Sequence, residues 1–414
     1  MEVRMTLRED AEQIIRKSIR AVLPDEAVRK ALEGRKFGQG KLYMVAAGKA
    51  GWQMAKTAAD ILGDRLAAGV VVTKYGHVKG EIPRTKCYEA GHPVPDENSF
   101  LATQAALDLA AKAGAGDEVV FLLSGGGSAL FEKPLVSGEE LRDVTEQLLA
   151  CGADIVEINT IRKRLSAVKG GRFALACGPA RVFGIVLSDI LGDPLDMIAS
   201  GPAVPDSSTC EEAAAIVKKY KLKLTDEAWA FLRKETPKKL TNVETQITGS
   251  VSGLCRAAAL SCGELGYETI ILTDQLNCEA REAGRFLSAI ARTHQNAEKS
   301  LAFLAGGETV VHLTGKGKGG RNQELALAAA EGIAGLVDTA VFSFGSDGTD
   351  GPTDAAGGCC DGHTREKLAA EGVSIYETLR DNDAYHALEK ADGLLFTGAT
   401  GTNVNDVAVL LIRR

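Results

Sequence analysis

The sequence predicts an α/β protein of two domains. The larger N-terminal one (1–242) is Rossmann-like with a mainly parallel sheet, and the smaller C-terminal one (243–414) is α/β with a mixed sheet. The functional site is expected in the cleft between them. Three observations predict this. Strand-like apolar runs alternate with helix-like runs almost throughout, the pattern of a parallel sheet covered by helices. The 414 residues are too many for one hydrophobic core and about right for two. Glycine-rich segments repeatedly follow the apolar runs, at Gly48 and Gly51 and over 124–128, 315–320, 345–351 and 398–403. In open α/β sheets, ligands bind beyond the carboxyl ends of the strands.

Each element follows from its local pattern. A charged amphipathic helix is expected over about residues 8–33, with none of the features of a signal peptide. "KLYMVAA" reads as a strand feeding the helix "GKAGWQMAKTAADIL". The strand "GVVVTKY", the helix "ENSFLATQAALDLAAKAG" and the strand "EVVFLL" follow. Helices are expected around 138–151 and 158–176, then the strand "RVFGIVLSD". The polar, lysine-rich stretch "KETPKKLTNVE" (234–244) marks the domain boundary. Beyond it "ETIILTD", "SLAFLAGG", "ETVVHLT", "TAVFSFGSD", "GLLFTG" and "DVAVLLI" read as strands. The Gly-Gly inside "LAGGETVVHL" favours a hairpin there, hence a mixed sheet.

Composition narrows the function classes. Lys and Arg number 48 against 55 Asp and Glu, a formal charge of −7, which gives no support for nucleic-acid binding. No apolar stretch approaches the roughly 20 residues that span a bilayer. Nine scattered cysteines without CxxC spacing point to reduced thiols and a cytoplasmic location. The six histidines lack metal-ligand spacing such as H-E-x-x-H, so zinc chemistry is not expected.

The chemistry is expected in the glycine loops. "FLLSGGGSALF" runs from a strand into Ser124, Gly125, Gly126, Gly127 and Ser128. It fits neither the G-x-S-x-G nucleophile elbow nor a Walker A loop. What is left is an anion cradle of backbone N–H groups supplemented by serine hydroxyls. Lys49, after Gly48, sits where a strand turns into a helix, so its ammonium would lie beside an anion at that helix start. "NTIRKRLSAVKGGRFA" (159–174) concentrates Arg162, Lys163, Arg164, Lys169 and Arg172. That is either a solvated helix face or a clamp for a carboxylate or phosphate. Asp189, Asp193 and Asp196 follow one strand, and Asp347, Asp350 and Asp354 another. Mg²⁺ in phosphoryl transfer needs one or two such carboxylates plus substrate phosphates. Gly315, Gly317 and Gly320 match G-x-G-x-x-G after an expected strand and before a helix. Lys316, Lys318 and Arg321 in the same loop suit a triphosphate better than a dinucleotide.

Taken together, "AAGKAG", "SGGGSAL", "NTIRKRLSAVKGGRFA", "LSDILGD…ASGPAVPD", "AGGETVVHLTGKGKGGRNQELALA", "SDGTDGPTDAAGG" and "TGATGTNVNDVAVLLI" resemble the glycerate kinases that end in a MOFRL-type domain. Members of that family have sometimes been labelled hydroxypyruvate reductases. The resemblance covers nearly the whole chain. It implies ATP-dependent, Mg²⁺-assisted phosphorylation of D-glycerate, usually at the 2-hydroxyl. The family's active-site lysine and arginine correspond to Lys49 and Arg321. On that reading Ser124 to Ser128 holds a nucleotide phosphate or the glycerate carboxylate. Lys49 and Arg321 stabilise the transferring phosphoryl group, and Arg162 fixes the carboxylate with Gly48, Asn159 and Lys169 nearby. Asp189 and Asp347 hold Mg²⁺ or, in one case, accept the substrate hydroxyl proton. Gly315, Gly317, Gly320, Asn322, Gln323, Glu324, Thr400 and Asn403 face the nucleotide. The rival activities are an NAD(P)H-dependent hydroxypyruvate reductase using the 315–320 motif, a 3-phosphoglycerate-forming kinase, and a non-catalytic nucleotide-binding regulator. The expected partner is a small molecule, with neither nucleic acid nor membrane, on a monomer or a homodimer.

Overall fold

Strict alternation along β1 (Leu42–Ala47) puts Tyr43, Val45 and Ala47 on one face and Leu42, Met44 and Ala46 on the other. Every one of these residues is buried, as a strand covered on both faces requires. The structure, a computed structural model, describes residues 6–414 and divides into two compact units. One comprises residues 27–248; the other joins the N-terminal stretch up to residue 26 with 249–414.

The first unit is built on a six-stranded sheet of β1, β2 (Leu66–Lys74), β3 (Thr85–Ala90), β4 (Glu118–Leu123), β5 (Arg181–Leu187) and β6 (Val243–Gly249), in the order β3-β2-β1-β4-β5-β6. The pairs β2–β3, β1–β2, β1–β4 and β4–β5 are all parallel. Helix Glu97–Ala110 covers the Tyr43 face, and helices Pro24–Leu32 and Gly51–Leu62 the Met44 face. From β1 the chain works outward to one edge, and from β4 to the other. The strand order therefore reverses between β1 and β4, the switch point where such sheets bind ligands.

The second unit carries β7 (Glu268–Leu276), β8 (Leu301–Gly307), β9 (Thr339–Gly345), β10 (Gly357–Asp361), β11 (Leu394–Leu395) and β12 (Asp406–Ile412), in the order β11-β10-β9-β12-β8-β7. β7 and β8 are parallel and all other neighbours antiparallel, so the expected mixed sheet is present. Helix Arg321–Ile333 is buried along most of its length. It packs so closely on helix Ala280–Thr293 that a Cβ on Gly284 would lie 2.2 Å from the Leu325 carbonyl oxygen.

Four expectations need correction. The N-terminal helix is two helices, Leu7–Ala21 and Pro24–Leu32, because proline is accepted at a helix start but not inside one. The first of these belongs with the second unit, where Tyr267 donates a 2.6 Å hydrogen bond to the buried Asp10. A boundary at 242/243 would also detach β6 from the first sheet, where it lies beside β5. The expected helix 158–176 stops at Arg164 and resumes at Arg172, interrupted by a bridge between Pro134 and Ser166. Finally, "ETVVHLT" forms no strand and no hairpin: only Val310 makes a bridge, to Glu279, and Leu313 is 83% exposed.

Candidate functional site

At the switch point the loops after β1 and β4 are locked together. Gly48 has φ 122°, and a Cβ there would lie 2.3 Å from Ser124 Oγ, so only glycine lets the two backbones approach this closely. The Lys49 N–H donates to the Gly125 carbonyl (2.9 Å) and the Ala50 N–H to Ser124 Oγ (3.1 Å). The Ser124 hydroxyl thus braces the start of helix Gly51–Leu62. The far end of the loop is anchored by Phe131, whose ring packs on Phe121 and Phe173 at centroid distances of 5.6 and 5.2 Å.

Three side chains crowd the glycines. A Cβ on Gly125 would come within 2.3 Å of the Asp189 carboxylate. A Cβ on Gly126, which has φ 86°, would lie 3.2 Å from Cγ of Lys49 and 3.0 Å from the His92 ring. The Lys49 side chain is exposed, and its backbone carbonyl accepts from Thr73 Oγ1 at 3.2 Å and lies 3.0 Å from His77 Nδ1. Burial lowers the pKa of His92 below its ordinary value, and the neighbouring positive charge of Lys49 adds to the effect. The ring is therefore neutral at pH 7.

Behind the loop, Arg162 Nη2 and Lys169 Nζ both donate to the Ser128 carbonyl at 2.9 Å. They also flank the fully buried Glu132, at 3.5 and 3.4 Å. Burial pushes the Lys169 ammonium down to about 8, against the attraction of Glu132. The two cations meet here because the chain turns between helices, not because one helix carries both. Lys163 and Arg164 point instead into the interior, to Asp206 at 3.2 and 3.8 Å, and Arg172 donates to three carbonyls. Three members of the basic cluster are thus internal braces. Asn159 is buried and accepts a 2.7 Å hydrogen bond from Ser200 Oγ. Ala199 and Ser200 have φ of 50° and 61°, backbone that side-chain-bearing residues rarely adopt. The Ala199 methyl abuts Gly127.

The second unit gathers its candidates at one end of its sheet. Asp406, opening β12, lies between the last residues of β8 and β9, Gly307 and Gly345. Arg321 Nε donates to Asp406 Oδ2 at 2.6 Å, Nη2 to Oδ1 at 3.2 Å, and Nη1 to Glu308 at 2.5 Å. Burial raises the Asp406 carboxyl to about 6 although Arg321 opposes it. Asp350 accepts from the N–H groups of Asn322 and Gln323 at 3.1 and 2.8 Å, so the helix start is capped by the protein's own carboxyl. The Glu324 carboxylate is buried against Arg281 and Asn382.

The strand expected before 315–320 is not formed. The N–H groups of this segment face a turn of the same unit. Those of Thr314 and Gly315 donate to Asn382 Oδ1, that of Gly317 to the Asp381 carbonyl, and those of Lys316 and Lys318 to the Asp381 and Asp383 carboxylates. Lys318 lies over the Tyr385 ring. Gly315 and Gly317 are needed because a Cβ on either would lie within 2.4 Å of that turn. The N–H groups of residues 314–318 are thus engaged within the unit. Thr400 donates to the Ser346 carbonyl, Asn403 caps the Asn405 N–H, and Asp347 accepts from the Thr349 N–H.

Residues 10–233 match a family described only as a domain of unknown function, DUF4147, and residues 301–406 match the MOFRL family. The chain is 51% identical to the D-glycerate 2-kinase of Thermotoga maritima, over 98% of its own length and 99% of that protein's. The chain belongs to the glycerate kinase family. The Pyrococcus horikoshii relative, a glycerate 2-kinase, is 41% identical over 99% of this chain and 98% of its own. The crystal structure of glycerate kinase from Thermotoga maritima matches with a TM-score of 0.94 at 50% identity, covering 98% of this chain and 99% of that one.

Among the described residues of this glycerate kinase family member, no group of three or more His, Cys, Asp or Glu side chains is arranged to hold a metal. Mg²⁺ bound largely through substrate phosphates needs only one or two carboxylates, and Asp189 against Gly125 fits as one of them. Sequence reasoning missed His92, Glu132, Ser200 and Asp406. His92 follows a strand in "YEAGHPVPD", a strand-end signal equal to the one that singled out Lys49. Ser200 acts through a backbone conformation that no residue pattern announces.

Proposed function

We propose that the protein transfers the γ-phosphoryl group of ATP to the 2-hydroxyl of D-glycerate, giving 2-phosphoglycerate and ADP. The observation that carries this reading is the end-to-end 51% identity to a D-glycerate 2-kinase. The switch-point loop supports it, because phosphoryl transfer needs positioned charge more than covalent chemistry. Free N–H groups of the glycine loop and the exposed Lys49 hold and neutralise the phosphoryl oxygens. Arg162, only 15% exposed and held on the Ser128 carbonyl, binds the glycerate carboxylate through its remaining N–H groups. Asp189 holds Mg²⁺, which supplies Lewis-acid neutralisation of the phosphates when bound. Arg321 is reassigned: with three N–H groups on carboxylates, it serves to organise the end of β12. The reductase rival would have to use the 315–320 motif, where the N–H groups of 315–318 already bond to the 381–383 turn. ADP release measured with ATP, Mg²⁺ and D-glycerate, beside NADH oxidation measured with hydroxypyruvate, separates the two. NADH-dependent turnover without ADP formation would overturn the proposal. No helix among the described residues is long and apolar enough to cross a membrane.

A further inference from the structure

His92 stands at the glycine loop with no role in the arrangement above. It follows β3, two residues past Ala90, and its chain reaches back to the switch point. A Cβ on Gly126 would lie 3.0 Å from His92 Cδ2 and 3.1 Å from Nε2, with the Lys49 stem on the same spot at 3.2 Å. The Nε2 edge of the ring therefore faces Gly126 in the loop after β4, against which the Lys49 stem also lies. Burial, and then the positive charges of Lys49, Lys74 and His77, all disfavour the imidazolium. Elsewhere at this loop the bases are engaged or misplaced: Glu132 is fully buried between two cations, and Asp189 is assigned to Mg²⁺.

We propose that His92 is the catalytic base that receives the proton of the acceptor hydroxyl. The inference rests on the kinase reading. As the hydroxyl oxygen forms its bond to the γ-phosphorus and the β,γ-bridging P–O bond breaks, the hydroxyl proton passes to the Nε2 lone pair. ADP leaves with the bridging oxygen, and the imidazolium returns its proton to solvent. Lys49, against the same glycine, neutralises the phosphoryl oxygens and disfavours a resting imidazolium, so one contact serves both tasks. A base works only unprotonated, so activity is lost as pH falls through the pKa of His92, which burial and Lys49 place below the ordinary imidazole value.

The test measures kcat and KM against pH for the wild type, His92→Asn and His92→Ala, with melting temperatures as the folding control. The wild type is expected to form phosphoglycerate with an acid limb in kcat. His92→Asn should lose roughly 10²–10⁴-fold in kcat, the usual scale for general-base removal, and lose the acid limb. Its KM for ATP should stay within about threefold, a split that a purely structural role would not give. Imidazole should partly restore His92→Ala. A His92→Asn enzyme with wild-type kcat and an unchanged acid limb overturns the assignment and leaves the kinase reading intact. A wild type that phosphorylates no glycerate overturns that reading, and the base with it.

Discussion

Gly48→Ala tests whether the site depends on the close approach of the β1 and β4 loops. The new methyl would lie 2.3 Å from Ser124 Oγ and 2.5 Å from the Ser124 carbonyl oxygen, so backbone must move. Overpacking of this kind costs about 1–3 kcal/mol. The φ of 122° adds strain of about 1–3 kcal/mol for any residue with a Cβ. Gly76→Ala is the control, because Gly76 also has a positive φ, 77°, but a Cβ there meets nothing within 4 Å. The difference between the two variants isolates the contact. At about 2–4 °C per kcal/mol for a domain of this size, Gly48→Ala should melt roughly 2–12 °C below Gly76→Ala. Its kcat should also fall, since the methyl pushes apart the bonds from the Lys49 N–H to the Gly125 carbonyl and from the Ala50 N–H to Ser124 Oγ. Scanning calorimetry and steady-state kinetics read both effects. Equal melting temperatures and full activity would refute the reasoning.

Lys49→Ala should lower kcat by roughly 10²-fold or more, the scale for removing a transition-state charge partner, and leave the melting temperature nearly unchanged because the side chain is exposed. Ala199→Gly should stabilise the fold by about 1 kcal/mol in denaturant titrations by relieving the left-handed backbone at φ 50°. It should also slow turnover, because the Ala199 methyl supports Gly127. Burial raises the Asp350 and Asp406 carboxyls to about 6, from 3.8 for an unperturbed aspartate. The folded state therefore keeps protons that the unfolded chain releases between those values. The stability due to these two groups is complete below about pH 4 and lost as pH rises through 6. Asp350→Asn should flatten that decline in urea melts between pH 4 and 7; an unchanged slope would contradict the burial argument.

What was legible in the sequence had local causes. The apolar runs at 42–47 and 118–123, with glycine at Gly48 and over 125–127, located the parallel sheet and its switch-point loop. Lys49 and Asp189 are singled out by sequence because each follows a strand, and Arg162 because it lies near the end of helix Ile155–Arg164. The illegible part was tertiary. The 315–320 glycines satisfy a phosphate-loop pattern and at Gly315 and Gly317 also let the loop touch the 381–383 turn, and no spacing separates those two uses. "ETVVHLT" has strand composition but gains no strand partner beyond the bridge at Val310. Lys163 and Arg164 read as part of a solvated face or an anion clamp and not as interior braces, because burying them requires Asp206, about forty residues away, which pattern alone does not connect. The left-handed pair at Ala199 and Ser200 is held by packing on Gly127 and Asn159, and neither residue type announces it.

The account stands most directly on the product of the reaction. Phosphorus NMR of the protein with ATP, Mg²⁺ and D-glycerate should show ADP and one new phosphomonoester in equal amounts. Its coupling to a single proton would place the phosphate on the secondary 2-hydroxyl, and Lys49→Ala should suppress it. Coupling to a methylene pair, the signature of a 3-phosphate, would contradict the assigned regiochemistry, and no new phosphomonoester at all would contradict the kinase reading itself.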